Sequence, residues 1–126
     1  MRFNFTHSNI TVTNLERSLE FYKQALSLTE VRRRDFGDCI MAYLQDDNHN
    51  FELELRWYKD SRARINHGDN LTHLAFTTDD VQAALKKHRE MKCVHFTVDE
   101  LDIYFIKDLD EYIIEIMPEN FFNEVK

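Results

Sequence analysis

Two stretches of the chain repeat apolar residues at helical spacing. Behind Thr13, the residues Leu15, Leu19, Tyr22 and Leu26 fall at i, i+4, i+7 and i+11, which is one face of an amphipathic helix. Behind Asp79, Val81, Leu85, His88 and, more loosely, Met91 mark a second face, with Ala84 beside them. Each start carries a capping-box pattern, Thr13 with Glu16 and Asp79 with Gln82, so Thr13 and Asp79 are the expected N-caps. The rest of the chain reads as strands. They are predicted over 3–12, 27–34, 39–45 and 50–57 around the first helix. Around the second they are predicted over 71–77, 93–98, 101–107 and 111–117. Each half is therefore β-α-β-β-β, and the helices are offset by 66 residues, Leu15 to Val81. A period that long marks a duplicated module rather than a solenoid repeat. The expected architecture is α+β, one domain over residues 1–126 built of two βαβββ modules, about 1–66 and about 67–126.

Strand residues alternate between faces. In 50–57, Phe51, Leu53 and Leu55 share one face, and Glu52, Glu54 and Arg56 share the other. In 111–117, Tyr112, Ile114 and Ile116 oppose Ile113, Glu115 and Met117. Thr72, Leu74 and Phe76 oppose His73, and Ile10 and Val12 oppose His7, Asn9 and Thr11. One face of each strand can pack on a helix, and the other carries His7, Glu54, His73 and Glu115. These four occupy equivalent places in the two modules, with His73 lying 66 residues after His7 and both glutamates on the last strand of a half. Two imidazoles and two carboxylates suit a borderline divalent metal, and four ligands on an octahedral ion leave open positions for chemistry. Glu52 shares the parity of Glu54 and is the rival ligand. A histidine or glutamate on a strand is more often a hydrogen-bonded or solvated residue, and the duplicated placement is what singles these out.

Composition narrows the field. The chain has 126 residues, two glycines and one proline, so no glycine-dependent phosphate loop can be built. Residues 1–66 carry 10 basic and 10 acidic groups while residues 67–126 carry 6 and 13, which puts the whole net charge of −7 in the second half. An acidic half does not suit a phosphate backbone, and no nucleic-acid partner is expected. No stretch is long and apolar enough for a membrane span, and residues 1–7 show no signal-peptide pattern. Cys39 and Cys93 lack zinc or redox spacing and fit free thiols in a cytoplasmic protein.

The segment Asn14-Leu15-Glu16-Arg17-Ser18-Leu19-Glu20-Phe21-Tyr22 resembles the first-helix motif of glyoxalase I (lactoylglutathione lyase), in the vicinal oxygen chelate superfamily. The likeness continues in Arg32-Arg33-Arg34-Asp35, Met41-Ala42-Tyr43-Leu44 and Leu53-Glu54-Leu55. It returns in Thr72-His73-Leu74-Ala75-Phe76 with Asp79-Asp80-Val81, and in Tyr112-Ile113-Ile114-Glu115-Ile116, so it spans essentially the whole chain. The sequence departs from the family at several glycines. Ser27 closes the first helix, Asn70-Leu71-Thr72 precedes the second histidine, and Asp108-Leu109-Asp110-Glu111-Tyr112 replaces Asp-Pro-Asp-Gly-Tyr. Residues 90–100, where the family has a glycine-rich loop over the thiol, are shorter and glycine-free.

The resemblance implies a cupped mixed sheet. It also implies a ligand set of His7, Glu54, His73 and Glu115 around a divalent metal, with Ni²⁺ or Co²⁺ favoured and Zn²⁺ possible. The implied reaction converts the hemithioacetal of methylglyoxal and glutathione to S-lactoylglutathione through a metal-bound enediolate, a carbon–sulfur lyase activity. Glu115 is then ligand and base, and Glu54 is its counterpart for the returning proton. Arg32, Arg33, Arg34 and Arg56 are candidate anchors for substrate carboxylates. The family also implies a homodimer in which each site takes two ligands from each chain, with Phe121-Phe122 either at that contact or packed on their own sheet. The alternatives are another metal-dependent member of the superfamily, such as an acyl-CoA epimerase or a dioxygenase, or a non-enzymatic binding module on the same fold. His49, His67, His88 and His95 match no ligand position.

Overall fold

The two helices start one residue later than the capping boxes suggest. In the computed structural model, which describes residues 1–60 and 64–124, helix α1 spans Leu15–Leu26 and helix α2 spans Val81–Glu90. The α1 cap is Asn14, whose side-chain oxygen accepts the Arg17 N–H at 3.1 Å, and not Thr13. The α2 cap is Asp80, accepting the Ala83 N–H at 3.0 Å, and not Asp79. Helix α1 buries Leu15, Ser18, Phe21, Tyr22 and Ala25, leaving Leu19 and Leu26 half-buried at the edge of the stripe. Helix α2 buries Val81 and His88.

Eight strands complete the chain. They are β1 (His7–Thr11), β2 (Thr29–Asp35), β3 (Cys39–Gln45) and β4 (Glu52–Tyr58), then β5 (Leu74–Thr78), β6 (Val94–Val98), β7 (Ile103–Lys107) and β8 (Ile113–Pro118). They form two four-stranded mixed sheets with the same topology, β1-β4-β3-β2 and β5-β8-β7-β6. In each, the first and last strands of the half pair in parallel and the others are antiparallel. The parallel pair needs a long crossover, which the helix and two intervening strands supply. Even the irregularities match, with a register shift between Glu30 and Arg32 on β2 and one between Val94 and Phe96 on β6. The chain's contacts divide into two units, Met1–Asn66 and His67–Lys126.

The inner faces follow the sequence parity. The first unit buries Ile10, Val12, Ala42, Leu44, Leu53 and Leu55, and the second buries Tyr104, Ile106, Ile114 and Ile116. The position of Tyr22 on α1 is taken by His88 on α2, and that of Ala42 on β3 by Tyr104 on β7. The second unit thus has a buried polar contact, His88 Nδ1 to the Tyr104 hydroxyl at 2.7 Å. Burial pushes the Tyr104 phenol up.

Strands β1 and β5 begin three or more residues later than the sequence suggests. Strand β1 begins at His7 because its partner begins at Glu52, and Phe3 and Phe5 lie outside the sheet, 88% and 81% exposed. Strand β5 begins at Leu74, so His73 stands just ahead of it. Residues 90–100 are filled by the end of α2, a turn, β6 and a 3₁₀ turn over Asp99–Leu101. Phe121 and Phe122 meet edge to face at 5.1 Å on a second 3₁₀ turn, Phe121 half-buried and Phe122 exposed. At the departures from family glycine the backbone keeps a left-handed conformation, with φ of 57° at Ser27, 54° at Asn70 and 68° at Glu111. Lys92, just past α2, joins them at 60°. Both cysteines are free, and no helix among the described residues is long and apolar enough to cross a membrane.

Candidate metal centre

In the first unit, β1 runs parallel to β4 with His7 opposite Glu52 and Asn9 opposite Glu54. Strand β3 places Tyr43 opposite Glu54 on the other side. His7, Asn9, Tyr43 and Glu54 therefore share the face turned away from α1. His7 Nε2 stands 3.7 Å from Glu54 Oε2, and Asn9 Nδ2 donates to Glu54 Oε1 at 2.6 Å. The Tyr43 hydroxyl lies 3.9 Å from the Met41 sulfur, and Tyr43 stands opposite Glu54 across the antiparallel pairing. Glu54 is buried, which by itself pushes its pKa up, but the Tyr43 phenol and the hydrogen bond from Asn9 outweigh this and hold it below the usual carboxylate value. On the far side of the imidazole, His7 Nδ1 is 3.0 Å from Thr6 Oγ1. With the ring proton there, the Nε2 lone pair is left facing Glu54.

The second unit repeats the pair. His73 Nε2 is 3.4 Å from Glu115 Oε1. Glu115 pairs with Ala75 on β5 and with Phe105 on β7, the positions held by Asn9 and Tyr43 in the first unit. Phe105 meets the His73 ring edge-on at 5.7 Å, as Tyr43 meets His7 at 6.1 Å.

The other predicted residues divide by what they touch. Glu52, the rival ligand, is engaged by both terminal nitrogens of Arg32 and by Gln45 Nε2 at 2.5 Å. The Arg32 guanidinium holds the Glu52 carboxyl below its ordinary value. Arg33 is clamped between Glu30 and Glu16, at 2.7 and 2.8 Å. Arg34 lies over the Phe36 ring at 4.7 Å, with no carboxylate partner among the described residues. Arg56, on the ligand face of β4, keeps a buried Nε with no hydrogen-bond partner among the described residues, and its terminal nitrogen reaches the Tyr58 hydroxyl at 3.4 Å. His67 bonds the Asp110 carbonyl at 2.7 Å, His49 bonds Gln45 at 2.8 Å, and His95 sits against Phe96.

The donor chemistry fits a divalent ion. Two donors about 2.1 Å from one ion stand about 3.0 Å apart at a right angle and about 3.4 Å apart at the tetrahedral angle. The His–Glu separations of 3.7 and 3.4 Å are close to that range before any ion draws the donors together. Imidazole nitrogen with carboxylate oxygen is a donor set for borderline metals. Among the described residues, no three His, Cys, Asp or Glu side chains form a cluster able to hold an ion, so each unit offers two donors. Asn9 and Tyr43 are the residues that sequence reasoning missed. Asn9 shares the parity of His7, but only the strand register reveals that it faces Glu54.

The family model described as the Glyoxalase/Bleomycin resistance protein/Dioxygenase superfamily matches residues 4–116. A probable lactoylglutathione lyase of Synechocystis is 28% identical, over 88% of this chain and 92% of that protein. A lactoylglutathione lyase of Neisseria meningitidis is 29% identical, over 88% of this chain and 87% of that protein. Among solved structures, the trypanothione-dependent glyoxalase I of Leishmania major shares the fold with a TM-score of 0.88 at 23% identity, covering 98% of this chain and 91% of that one. A fosfomycin resistance protein of Listeria monocytogenes shares it with a TM-score of 0.74 at 13% identity, covering 100% and 99%. The duplicated βαβββ plan and the length of the family match agree, and the chain belongs to the glyoxalase/bleomycin resistance protein/dioxygenase superfamily.

Proposed function

We propose that the chain is a metal-dependent lactoylglutathione lyase acting on the hemithioacetal of methylglyoxal and glutathione. The observation that carries this reading is the twice-built pair, an imidazole Nε2 facing a carboxylate oxygen at 3.7 Å in one unit and at 3.4 Å in the other. The relatives named lactoylglutathione lyase support the substrate. His7, Glu54, His73 and Glu115 hold the ion, Ni²⁺ or Co²⁺ before Zn²⁺. Each pair is half of the ligand set, and two copies of the chain, paired as a homodimer in the cytoplasm, supply the halves. When bound, the ion supplies Lewis-acid stabilisation of negative charge developing on the substrate's two neighbouring oxygens.

The chain's own residues do the rest. His7 and His73 act as neutral imidazoles. Glu115 takes the proton from the carbon bearing sulfur as general base. The electron pair left behind moves onto the neighbouring carbonyl oxygen. A proton is then delivered to that neighbouring carbon and the hydroxyl proton passes to that carbon's oxygen, which leaves the hydroxyacyl thioester with the substrate's atoms and electrons conserved. Arg34 and Arg56, not committed to internal carboxylates, anchor the thiol's carboxylates, while Arg32 and Arg33 are held by Glu52, Glu30 and Glu16.

The test is an ultraviolet thioester assay on metal-stripped protein, with Ni²⁺, Co²⁺, Zn²⁺ and Mn²⁺ restored in turn. The expected result is metal-dependent thioester formation that His73→Ala abolishes. Tight metal binding without turnover on glutathione or other thiol adducts rejects the lyase and directs the search to the other metal enzymes of the superfamily.

A further inference from the structure

The two His–Glu pairs are built alike but held differently. Resting on the functional reading above, we propose that Asn9 and Tyr43 are positioning residues that fix Glu54 as a stationary ligand and leave Glu115 alone to carry the proton in both directions. The argument is one of register. Each glutamate has one neighbour across the parallel pairing and one across the antiparallel pairing. For Glu54 these are Asn9 and Tyr43, and for Glu115 they are Ala75 and Phe105. The first two carry donors and the second two carry none.

The consequence is specific to single atoms. Asn9 Nδ2 occupies Glu54 Oε1 at 2.6 Å, so Oε2 is the oxygen turned to His7. The phenol of Tyr43, opposite Glu54 across the antiparallel pairing, is a second donor group beside the same carboxylate. A carboxylate with these donors loses them if it swings or takes a proton, and that opposes both movements. Glu115 meets a methyl group and a phenyl ring at the same two positions, and its imidazole partner is its only polar contact from the described residues. It can leave the imidazole, take a carbon-bound proton and return it to the adjacent carbon without breaking a protein hydrogen bond. The pseudo-symmetric pair thus divides into an anchor and a carrier, and Glu54 does not deliver the returning proton.

Two measurements test this. Side-chain ¹³C relaxation of the full-length, metal-free protein reads the order of the Glu54 and Glu115 side chains without any metal. Glu54 is expected to be the more ordered. In Asn9→Ala/Tyr43→Phe, which gives the first unit the neighbours of the second, its order should fall to that of Glu115 with the backbone spectrum otherwise retained. Titration with Ni²⁺ alone should show roughly 10- to 100-fold weaker binding in that variant, the range for outer residues that hold a metal ligand. The reciprocal variant Ala75→Asn/Phe105→Tyr should order Glu115 and lower kcat while KM holds, and it decides the matter if the first variant does not fold. Equal order of the two glutamates in the unaltered protein, or unchanged order of Glu54 in the double variant, overturns the proposal while leaving the lyase reading intact. A protein that binds no Ni²⁺ overturns the lyase reading, and the relaxation contrast still decides whether Asn9 and Tyr43 fix Glu54.

Discussion

The two units share strand order, register shifts and a His–Glu pair, yet they surround that pair with opposite chemistry. Around Glu54 the ligand face carries Asn9, Tyr43, Glu52, Arg56 and Arg32. Around Glu115 the same positions hold Ala75, Phe105, Ile113, Met117 and Phe96. The cores are exchanged as well, since His88 and Tyr104 form a buried hydrogen bond where the first unit has Tyr22 and Ala42. Duplication supplies two equal halves of a donor set. Divergence of the flanking residues then makes the halves unequal, and under the proposed lyase reading that inequality separates a carboxylate that moves from one that stays.

The sharpest way to break the comparison is to neutralise each carboxylate in turn. Glu115→Gln is expected to lower turnover by roughly 10²–10⁴-fold with Ni²⁺ still bound, the usual contribution of a general base. Glu54→Gln should instead act first on Ni²⁺ affinity, and calorimetry beside the thioester assay separates the two. Equal effects of both substitutions on affinity and on turnover would erase the distinction. Next in size is the core contrast. Tyr104→Phe removes the hydroxyl bonded to His88 Nδ1 and should cost about 1–3 kcal/mol in denaturant unfolding, a loss with no counterpart at Tyr22 and Ala42 of the first unit.

Smaller effects come from the charged face. Because the Arg32 guanidinium holds Glu52 below its ordinary value of 4.5, the ion pair's stability is complete above that pH and is lost as pH falls through the lowered folded value. Arg32→Ala should therefore lower stability at neutral pH and flatten the acid side of the stability profile, read by circular dichroism from pH 7 down through the carboxylate range. No second-unit equivalent exists, since Phe96 and Ile113 occupy those places. Last come the caps. Asn14→Ala and Asp80→Ala should each cost about 1 kcal/mol, and Thr13→Ala and Asp79→Ala should cost less if the observed caps are the operative ones.

The repeat, the eight strands and the faces of most of them were legible because periodicity is local. The caps were misplaced by one residue in both halves for a shared reason. Two capping residues stand side by side, and Glu16 and Gln82 complete a box with the earlier one, whereas the backbone turns into helix at the later. The strand ends at residues 3–6 and at His73 were not legible, because pairing stops where the partner strand stops. Glu52 could not be told from Glu54 by parity, and the bidentate grip of Arg32 on Glu52 depends on the β2–β3–β4 order. Asn9 and Tyr43 escaped for the same reason, since their tie to Glu54 crosses 45 residues in one case and a hairpin in the other.

The left-handed backbone at Ser27, Lys92 and Glu111 has a consequence for how much change this chain can absorb. A residue with a β-carbon spends about 1–2 kcal/mol in that conformation, more than the roughly 0.5–1 kcal/mol that glycine loses through its freer unfolded chain. Glycine at each position should therefore raise the melting temperature, and none of the three positions belongs to a His–Glu pair. The protein carries an untapped tolerance for mutation at its turns. Substitutions that reshape the face carrying the His–Glu pairs could be accommodated by restoring glycine at these turns, so that the face can change while its scaffold remains folded.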